Sequence, residues 1–471
     1  MTLLERADVQ GLVVSGYGRM PLSCFLLLRL GDAAAARRWV AALADRVTSS
    51  EKPEERRCIN VALTASGLTQ IGVDGADLAS FPAALREGMA APHRQRILGD
   101  TDASDPQLWE WGGSRVAPVM GEVHALLLLY GADEQSFTAV VDDEQARLAD
   151  AEITVVHRIE PLPLPGRDKV GKFGTEHFGF ADGMSQPVVK GSGQEDKLAG
   201  DDARRGVIET GEFVLGYPNG YGQQTPWPTV DASSASGRDF GRNGSYLVVR
   251  QLAQDVAGFW RFLDEHSRTA DGLSDTEARE RLGAKLVGRW RSGAPLVKAH
   301  HRDDPDMGTD NSFGYAAWDP HGQRCPLGAH IRRTNPRDGL GEDPDRALEL
   351  ANLHRLVRRG RVYGVALESP LGGDDGRERG LVFICVNANL ERQFEFVQHS
   401  WCNNPKFAGL YDEMDPLLAT QPAEGGNYTI QDAPARRRLT ALPNFVTTRG
   451  GAYFFLPGLR ALRHLGTLRP S

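Results

Sequence analysis

Apolar residues fall along this chain in two periods, and the order in which those periods alternate predicts its architecture. The run "PLSCFLLLRL", Pro21 to Leu30, is almost unbroken in its apolar character and predicts a buried strand. "DAAAARRWVAALADRV" follows it, opening on an Asp cap and continuing in strong helix formers. "CINVALTA" (58–65) predicts a second strand, "VHALLLLYG" (123–131) a third, "DEQSFTAVVDDEQARLAD" a capped helix and "EITVVHRIE" (152–160) a fourth strand. An insertion separates the second strand from the third. Short strands joined by only two long crossover helices predict a split βαβ, ferredoxin-like sheet with helices on one face.

The pattern returns after a Gly/Asp/Ser-rich stretch at 190–243 that carries few periodic signals. "GSYLVVRQL" (244–252) predicts a strand, and "AQDVAGFWRFLDEH" places Val256, Phe259, Trp260 and Leu263 on one helical face. "RVYGVAL" (361–367) and "GLVFICV" (380–386) predict neighbouring strands, "NANLERQFEFVQHSW" a helix, and "GAYFFLP" with "GLRALRHL" a last strand and helix. The expected fold class is therefore α+β, with two ferredoxin-like βαββαβ domains. The first is expected over 1–190, ending in the segment around Asp182, and the second over 191–471 with long loop insertions.

Composition narrows the partners. A chain of 471 residues, 41% hydrophobic, is long enough for two to three domains with full cores. A formal net charge of -8 argues against a nucleic-acid or anionic-membrane surface, which needs clustered basic charge. The five cysteines, Cys24, Cys58, Cys325, Cys385 and Cys402, are scattered and never in CxxC spacing, which suggests reduced thiols and no thiolate zinc site. "MTLLERADVQG" shows no export signal, and the runs "CFLLLRL" and "HALLLLY" are too short to span a bilayer. A cytoplasmic protein with no membrane and no nucleic-acid partner is expected.

Two motifs fail on inspection. "GRDKVGKF" (166–173) nearly matches a phosphate loop but ends in Phe173, which offers no hydroxyl, and "PLPLP" precedes it where a strand is required. "HHRDDPDMGTDN" (300–311) has the carboxylates of a calcium loop but no closing Glu. More specific is "RCPLGAHIRRTNPRD", Arg324 to Asp338, where His330 precedes Arg332, Arg333 and Arg337. Imidazole is the commonest metal ligand, and guanidinium groups neutralise anions through charge-assisted bonds. Zinc needs three or four protein ligands, whereas haem iron needs only one, the porphyrin supplying the rest. A single His with anion-binding arginines and an apolar cavity is what a haem site requires. "ANLHRLVRRGRVYG" then supplies Arg358 and Arg359 before Gly360. At a helix end such a pair ordinarily does no more than favour the dipole. Beside a haem, a guanidinium holds charge as a peroxide O–O bond breaks, and a carboxylate moves the proton. "EHFGFADGMSQP" offers that carboxylate in Asp182, set among Phe178, Phe180 and glycines. Adjacent helical residues are turned by about 100°, so the two arginines are not expected to face the same pocket.

These segments resemble the dye-decolourising (DyP-type) haem peroxidases. "GFADG" (179–183) resembles the family's GxxDG motif and "CPLGAHIRRTNPRD" its proximal-His segment. Further likenesses are "GEFVLGYPNGYG" (211–222), "GSYLVVRQLAQDVAGFWRFL" (244–263), "RRGRVYG" (358–364), "GLVFICVNANLERQFEFVQHSW" (380–401) and "RGGAYFFLPGLRALRHL" (449–465), with the N-terminal "DVQGLVVSGYG" less specific. Ala452 and Leu327 depart from the family's usual Glu and Phe. The resemblance implies haem b, one per chain, in the C-terminal of two antiparallel ferredoxin-like domains. It assigns His330 as proximal iron ligand and metal site, Asp182 as distal acid–base residue and Arg358 as distal arginine. Asp415 matches the carboxylate behind the His, and Leu381 and Phe383 the apolar distal wall. Arg332 and Arg337 stand as candidates for the haem's anionic groups. The implied reaction is reduction of hydrogen peroxide through a ferryl intermediate, with dyes, phenols or other aromatic reductants as one-electron donors. The length and insertions resemble the longer bacterial and fungal subgroup. A haem-binding or haem-delivery protein with little turnover is the alternative.

Overall fold

The computed structural model describes residues 3–51, 56–114, 122–164, 174–198 and 200–468. The rejected phosphate-loop stretch 166–173 lies outside them.

The first half forms as the apolar pattern predicts. Strand β1 (Leu22–Arg29) is followed by α1 (Ala33–Leu43), whose cap is Asp32, its carboxylate accepting the Ala35 N–H. Strand β2 (Arg57–Leu63), β3 (Ala125–Gly131), α2 (Glu134–Asp150) and β4 (Thr154–Ile159) complete the unit. The second half contains β5 (Ser245–Gln254), α3 (Val256–Glu265), β6 (Val357–Arg358), β7 (Arg361–Tyr363), β8 (Gly380–Asn387) and β9 (Val446–Leu456). Between α3 and β6 lies α4 (His330–Thr334), and α5 (Leu459–Leu465) ends the fold.

Both halves show the same strand order. The nine strands run β4-β1-β3-β2-β9-β5-β8-β6, with β7 also paired to β8. With the short β6 and β7, which both pair with β8, counted as one strand, each half reads fourth, first, third, second, which is the ferredoxin-like arrangement, and every pairing in this sheet is antiparallel. The halves meet where β9 pairs with β2 through Phe455 and Leu63. They share more than that edge. One core cluster joins Trp39 and Val40 of α1 to Leu462 and Leu465 of α5.

The near-continuous apolar character of β1 and β3 has a direct cause. One face, with Leu26 and Leu127, packs on the helices, and the other, with Phe25, Leu27 and Leu128, packs under Val9, Leu12 and Val13 of the N-terminal segment. Both faces are buried, as in a sheet covered on both sides. The helices lie on one face, as expected, and the N-terminal segment supplies the cover on the other.

Two further differences bear on the site. The helix predicted over 387–401 is wound in the wide π form at Glu391–Glu395 and Val397–Cys402. The paired arginines lie on no helix. The preceding helix stops at Asn352, and Val357–Arg358 is a short strand pairing Arg358 with Cys385 and Val357 with Val386 of β8.

Candidate active site

The Asp182 segment leaves the first half and packs on the second. Phe178 packs against Phe259 of α3 at 4.5 Å between ring centroids with the rings tilted by 32°, and Phe180 meets the same ring edge-on at 6.2 Å. Gly179 and Gly183 flank the turn with φ of 91° and 97°, a left-handed conformation that a side chain at either position resists. The apolar rings therefore anchor the segment while the glycines let it turn, and Asp182 is delivered to the wall of a cavity.

That cavity has a volume of about 1590 Å³ including its mouth. Its apolar wall comes from Phe178, Phe180, Leu252 of β5, Leu381 and Phe383 of β8, and Phe394 of the π-wound helix. Leu381 and Phe383 share the cavity face because side chains alternate along a strand. Between and beyond them Val382 and Ile384 are fully buried on the opposite face.

Arg358 lies beside Asp182 in this cavity. Its Nη1 donates to Asp182 Oδ1 at 2.9 Å and its Nη2 to the Met184 carbonyl at 2.8 Å, so the guanidinium is held at both ends of the same turn. About a third of each side chain remains open to the pocket. Burial works to raise the Asp182 carboxyl, but the Arg358 charge and the Gly183 N–H outweigh it and hold the group below its usual value. Arg359 points elsewhere. It donates to the Leu12 and Val13 carbonyls at 2.7 and 2.8 Å, fastening the N-terminal segment. The two arginines separate as expected, though at the end of a short strand rather than on a helix.

His330 opens α4 and lines the same cavity. Its Nδ1 stands 2.9 Å from Asp415 Oδ2, and since an ionised carboxylate only accepts, the ring N–H donates. Asp415 is completely buried, and its other oxygen accepts the backbone N–H groups of Leu417 and Leu418 at 2.9 Å each. Burial opposes charge on both members of this pair. It is outweighed in each case: Asp415 raises the His330 value, and His330 together with the Leu418 N–H lowers that of Asp415. Asp412 and Glu413, the nearby alternatives, are engaged with Arg438 and the Thr429 N–H. His177 and His354 bond through their rings to the Tyr363 and Arg392 carbonyls.

The arginines that follow His330 divide. Arg337 lines the cavity, donating to the Asn311 and Phe313 carbonyls and lying 3.8 Å above the Phe313 ring. Arg332 is a correction to the expected cofactor contacts: it is turned away from the cavity, buried on Asp319 at 3.2 Å and stacked over Tyr315. Two residues on a helix are rotated by about 200°, which carries Arg332 to the face opposite His330. Arg333 is spent on the Trp401, Asn404 and Glu413 carbonyls. Unforeseen in the sequence, Arg355 lines the cavity, donating to the Arg205 and Ser185 carbonyls. Burial pulls its value down to about 9, helped by the nearby charges of Arg337 and Arg358. Its one sequence signal was membership of the same basic run. Glu176 and Gln254 also line the cavity, and nothing in the sequence marked them.

A proximal-type His–Asp pair and a carboxylate–guanidinium pair thus share one largely apolar cavity, in a fold whose two halves repeat a ferredoxin-like sheet. A relative from Amycolatopsis sp., the multifunctional dye peroxidase DyP2, is 32% identical over 93% of this chain and 91% of its own length. The chain belongs to the dye-decolourising peroxidase family. It is a haem peroxidase. The dye-decolorizing peroxidase msp1 of Mycetinis scorodonius is 29% identical over 98% of this chain and 87% of its own. Among solved structures, an ancestral D-type dye-decolorizing peroxidase superposes with a TM-score of 0.80 at 27% identity, covering 99% of this chain and all of that one. No family model matches. Among the described residues no helix is long and apolar enough to cross a membrane, and no group of three or more His, Cys, Asp or Glu is placed to hold a metal ion. A lone His ligand with a porphyrin is compatible with that.

Proposed function

We propose that this peroxidase binds haem b, one per chain, with His330 as the iron ligand, and that Asp182 and Arg358 carry the peroxide chemistry. The observation that carries the proposal is the convergence of the His330–Asp415 and Asp182–Arg358 pairs in one cavity. The donor set fits the cofactor. Nδ1 of His330 is taken by Asp415, and no described protein group bonds Nε2. Arg337 and Arg355 have no carboxylate within ion-pair distance among the described residues, so both suit the propionates. Asn335 Oδ1 and the Tyr315 hydroxyl, both on the wall, are buried without partners.

Bound haem supplies the redox centre that passes electrons from donor to peroxide. The protein's work is the rest. Asp415 fixes the His330 tautomer and makes the imidazole a stronger donor. Asp182, ionised, takes the proton from one peroxide oxygen through a carboxylate oxygen and returns it to the other, which leaves as water. Arg358 donates to the oxygen that gathers negative charge. Leu381 and Phe383 keep bulk water from the reacting atoms. Two aromatic donors, such as phenols or dyes, each lose one electron and a proton per peroxide, giving a second water and two radicals.

The 1–190 and 191–471 division is retained as a description of the two sheet-bearing halves, with the Asp182 segment crossing from the first onto the haem-side second. A reducing, cytoplasmic setting is proposed from the five cysteines, all buried and none in CxxC spacing. Titrating the purified chain with haem and then adding peroxide and an anthraquinone dye tests the proposal. A Soret band saturating at one haem per chain, followed by bleaching of the dye, is expected. Saturation at one haem with no peroxide-dependent turnover contradicts it.

A further inference from the structure

Glu176 lies on the cavity wall, on the segment that presents Asp182, and no cation pairs with it among the described residues. Its carboxylate is instead filled by three neutral donors. Oε2 accepts the Phe178 N–H at 2.9 Å and the Gln254 side-chain amide at 2.7 Å, and Oε1 accepts the Phe180 N–H at 3.0 Å. The backbone closes the same turn: Glu176 N–H donates to the Phe180 carbonyl at 3.0 Å and Gly179 N–H to the Glu176 carbonyl at 2.8 Å. Immediately downstream, Ala181 bridges to Thr175 and Asp182 N–H donates to the Gly174 carbonyl at 2.9 Å. One side chain therefore ties the turn from within, and the next residues out of that turn lead to the acid.

Gln254 connects this turn to the sheet. It ends β5, where its own N–H donates to the Arg379 carbonyl at 2.8 Å. An ionised carboxylate accepts only, so while Glu176 is charged the amide turns its NH2 toward it. The consequence is visible on the other atom: Gln254 Oε1 is buried with no partner. An orphaned amide oxygen is costly, and a fold that merely filled this space with an apolar residue would avoid it. Burial pushes the Glu176 carboxyl up to about 7 against the pull of these three bonds, and the Asp182 charge adds to the rise, so the two carboxyl groups feel each other.

We propose that Glu176 is a positioning residue for Asp182: anchored to β5 through Gln254, it holds the turn that sets the Asp182 carboxylate against Arg358. The inference rests on the reading of Asp182 as the proton-transfer group. It takes Glu176 to act through Asp182 and not on peroxide directly.

The test is a double-mutant cycle on the haem-loaded enzyme, read by the stopped-flow rate of the Soret change with hydrogen peroxide and by haem content. Glu176→Gln keeps the shape, but its new NH2 must face a backbone N–H or the Gln254 amide. It is expected to retain haem and to slow the Soret change by about tenfold to a hundredfold. In an Asp182→Asn background the same substitution is expected to change the rate by less than about twofold, because the group it positions is gone. Equal losses in both backgrounds, or a Glu176→Gln rate equal to wild type, overturn the inference alone. If Asp182→Asn itself reacts as fast as wild type, the reading of Asp182 falls and takes the inference with it. Should Glu176→Gln not retain haem, the cycle is run with Gln254→Leu, which removes one of the three bonds. A smaller loss confined to the Asp182 background supports the inference, and no loss or an equal loss in both overturns it.

Discussion

Asp182 stands among rings and glycines because an anchored, sharply turned segment can hold a carboxylate against a guanidinium in an apolar wall. Burial and Arg358 pull its titration in opposite directions, and Arg358 with the Gly183 N–H wins. A carboxyl depressed in the fold contributes stability that is present above its unfolded value, about 3.9, and is lost as pH falls through the lower folded value. The same depression keeps the base ionised in acid. Dye oxidation is therefore expected to peak at roughly pH 3 to 5, since the reduction of peroxide to water takes up protons and gains driving force in acid. Arg358→Leu removes the charge that opposes burial, so its residual activation is expected to be slower by orders of magnitude, with the acid limb moved to higher pH. A stopped-flow pH profile reads both effects, and an unmoved acid limb would contradict the balance described. Arg359→Leu should leave the peroxide rate unchanged and lower the Tm, because it releases the Leu12 and Val13 carbonyls. His330→Ala is expected to lose or severely weaken haem retention, there being one protein ligand to lose. An unchanged Soret band and stoichiometry in that variant would contradict the ligand assignment.

Elements divide into those that local pattern dictates and those that packing dictates. β1, α1, β3 and α2 were legible because their apolar period and Asp caps belong to the residues themselves, and Asp32 and Asp133 do cap as expected. The alternation of Leu381 and Phe383 was equally legible. By contrast, the π winding at 391–402 and the short β6 depend on what they pack against, so a basic run before Gly360 looked like a helix end. Arg332 was misjudged for the same reason: sequence proximity to His330 says nothing of which helical face a residue occupies, and Asp319 sits on the other side. Glu176 left no signal, since its partners are two backbone N–H groups and an amide some 78 positions away. The two faces of β8 give a direct contrast. Ile384→Ala, on the buried face, should cost about 2–5 kcal/mol of stability with the peroxide rate preserved. Phe383→Ala, on the cavity face, should cost less stability and change the kinetics with bulky donors. Chemical denaturation alongside steady-state kinetics distinguishes them, and equal kinetic effects would contradict the face assignment.

At the scale of the whole molecule, the active site belongs to neither half alone. The His330 side, most of the apolar wall and Arg358 come from the second half, while Asp182 and its turn, with Phe178 and Phe180, arrive on the segment that leaves the first. The halves are also joined by the β2–β9 pairing and by the core that α1 and α5 share. Residues 191–471 expressed alone are expected to show no cooperative unfolding transition and no stoichiometric haem binding; a stable, haem-loaded fragment would contradict this coupling. The central claim is that the carboxylate delivered across that boundary moves the peroxide proton. Asp182→Asn, which preserves shape and removes the base, tests it most directly. At equal haem content, the rate of the peroxide-driven Soret change should fall by about a hundredfold or more; a rate equal to that of the wild-type enzyme would show that Asp182 only shapes the turn.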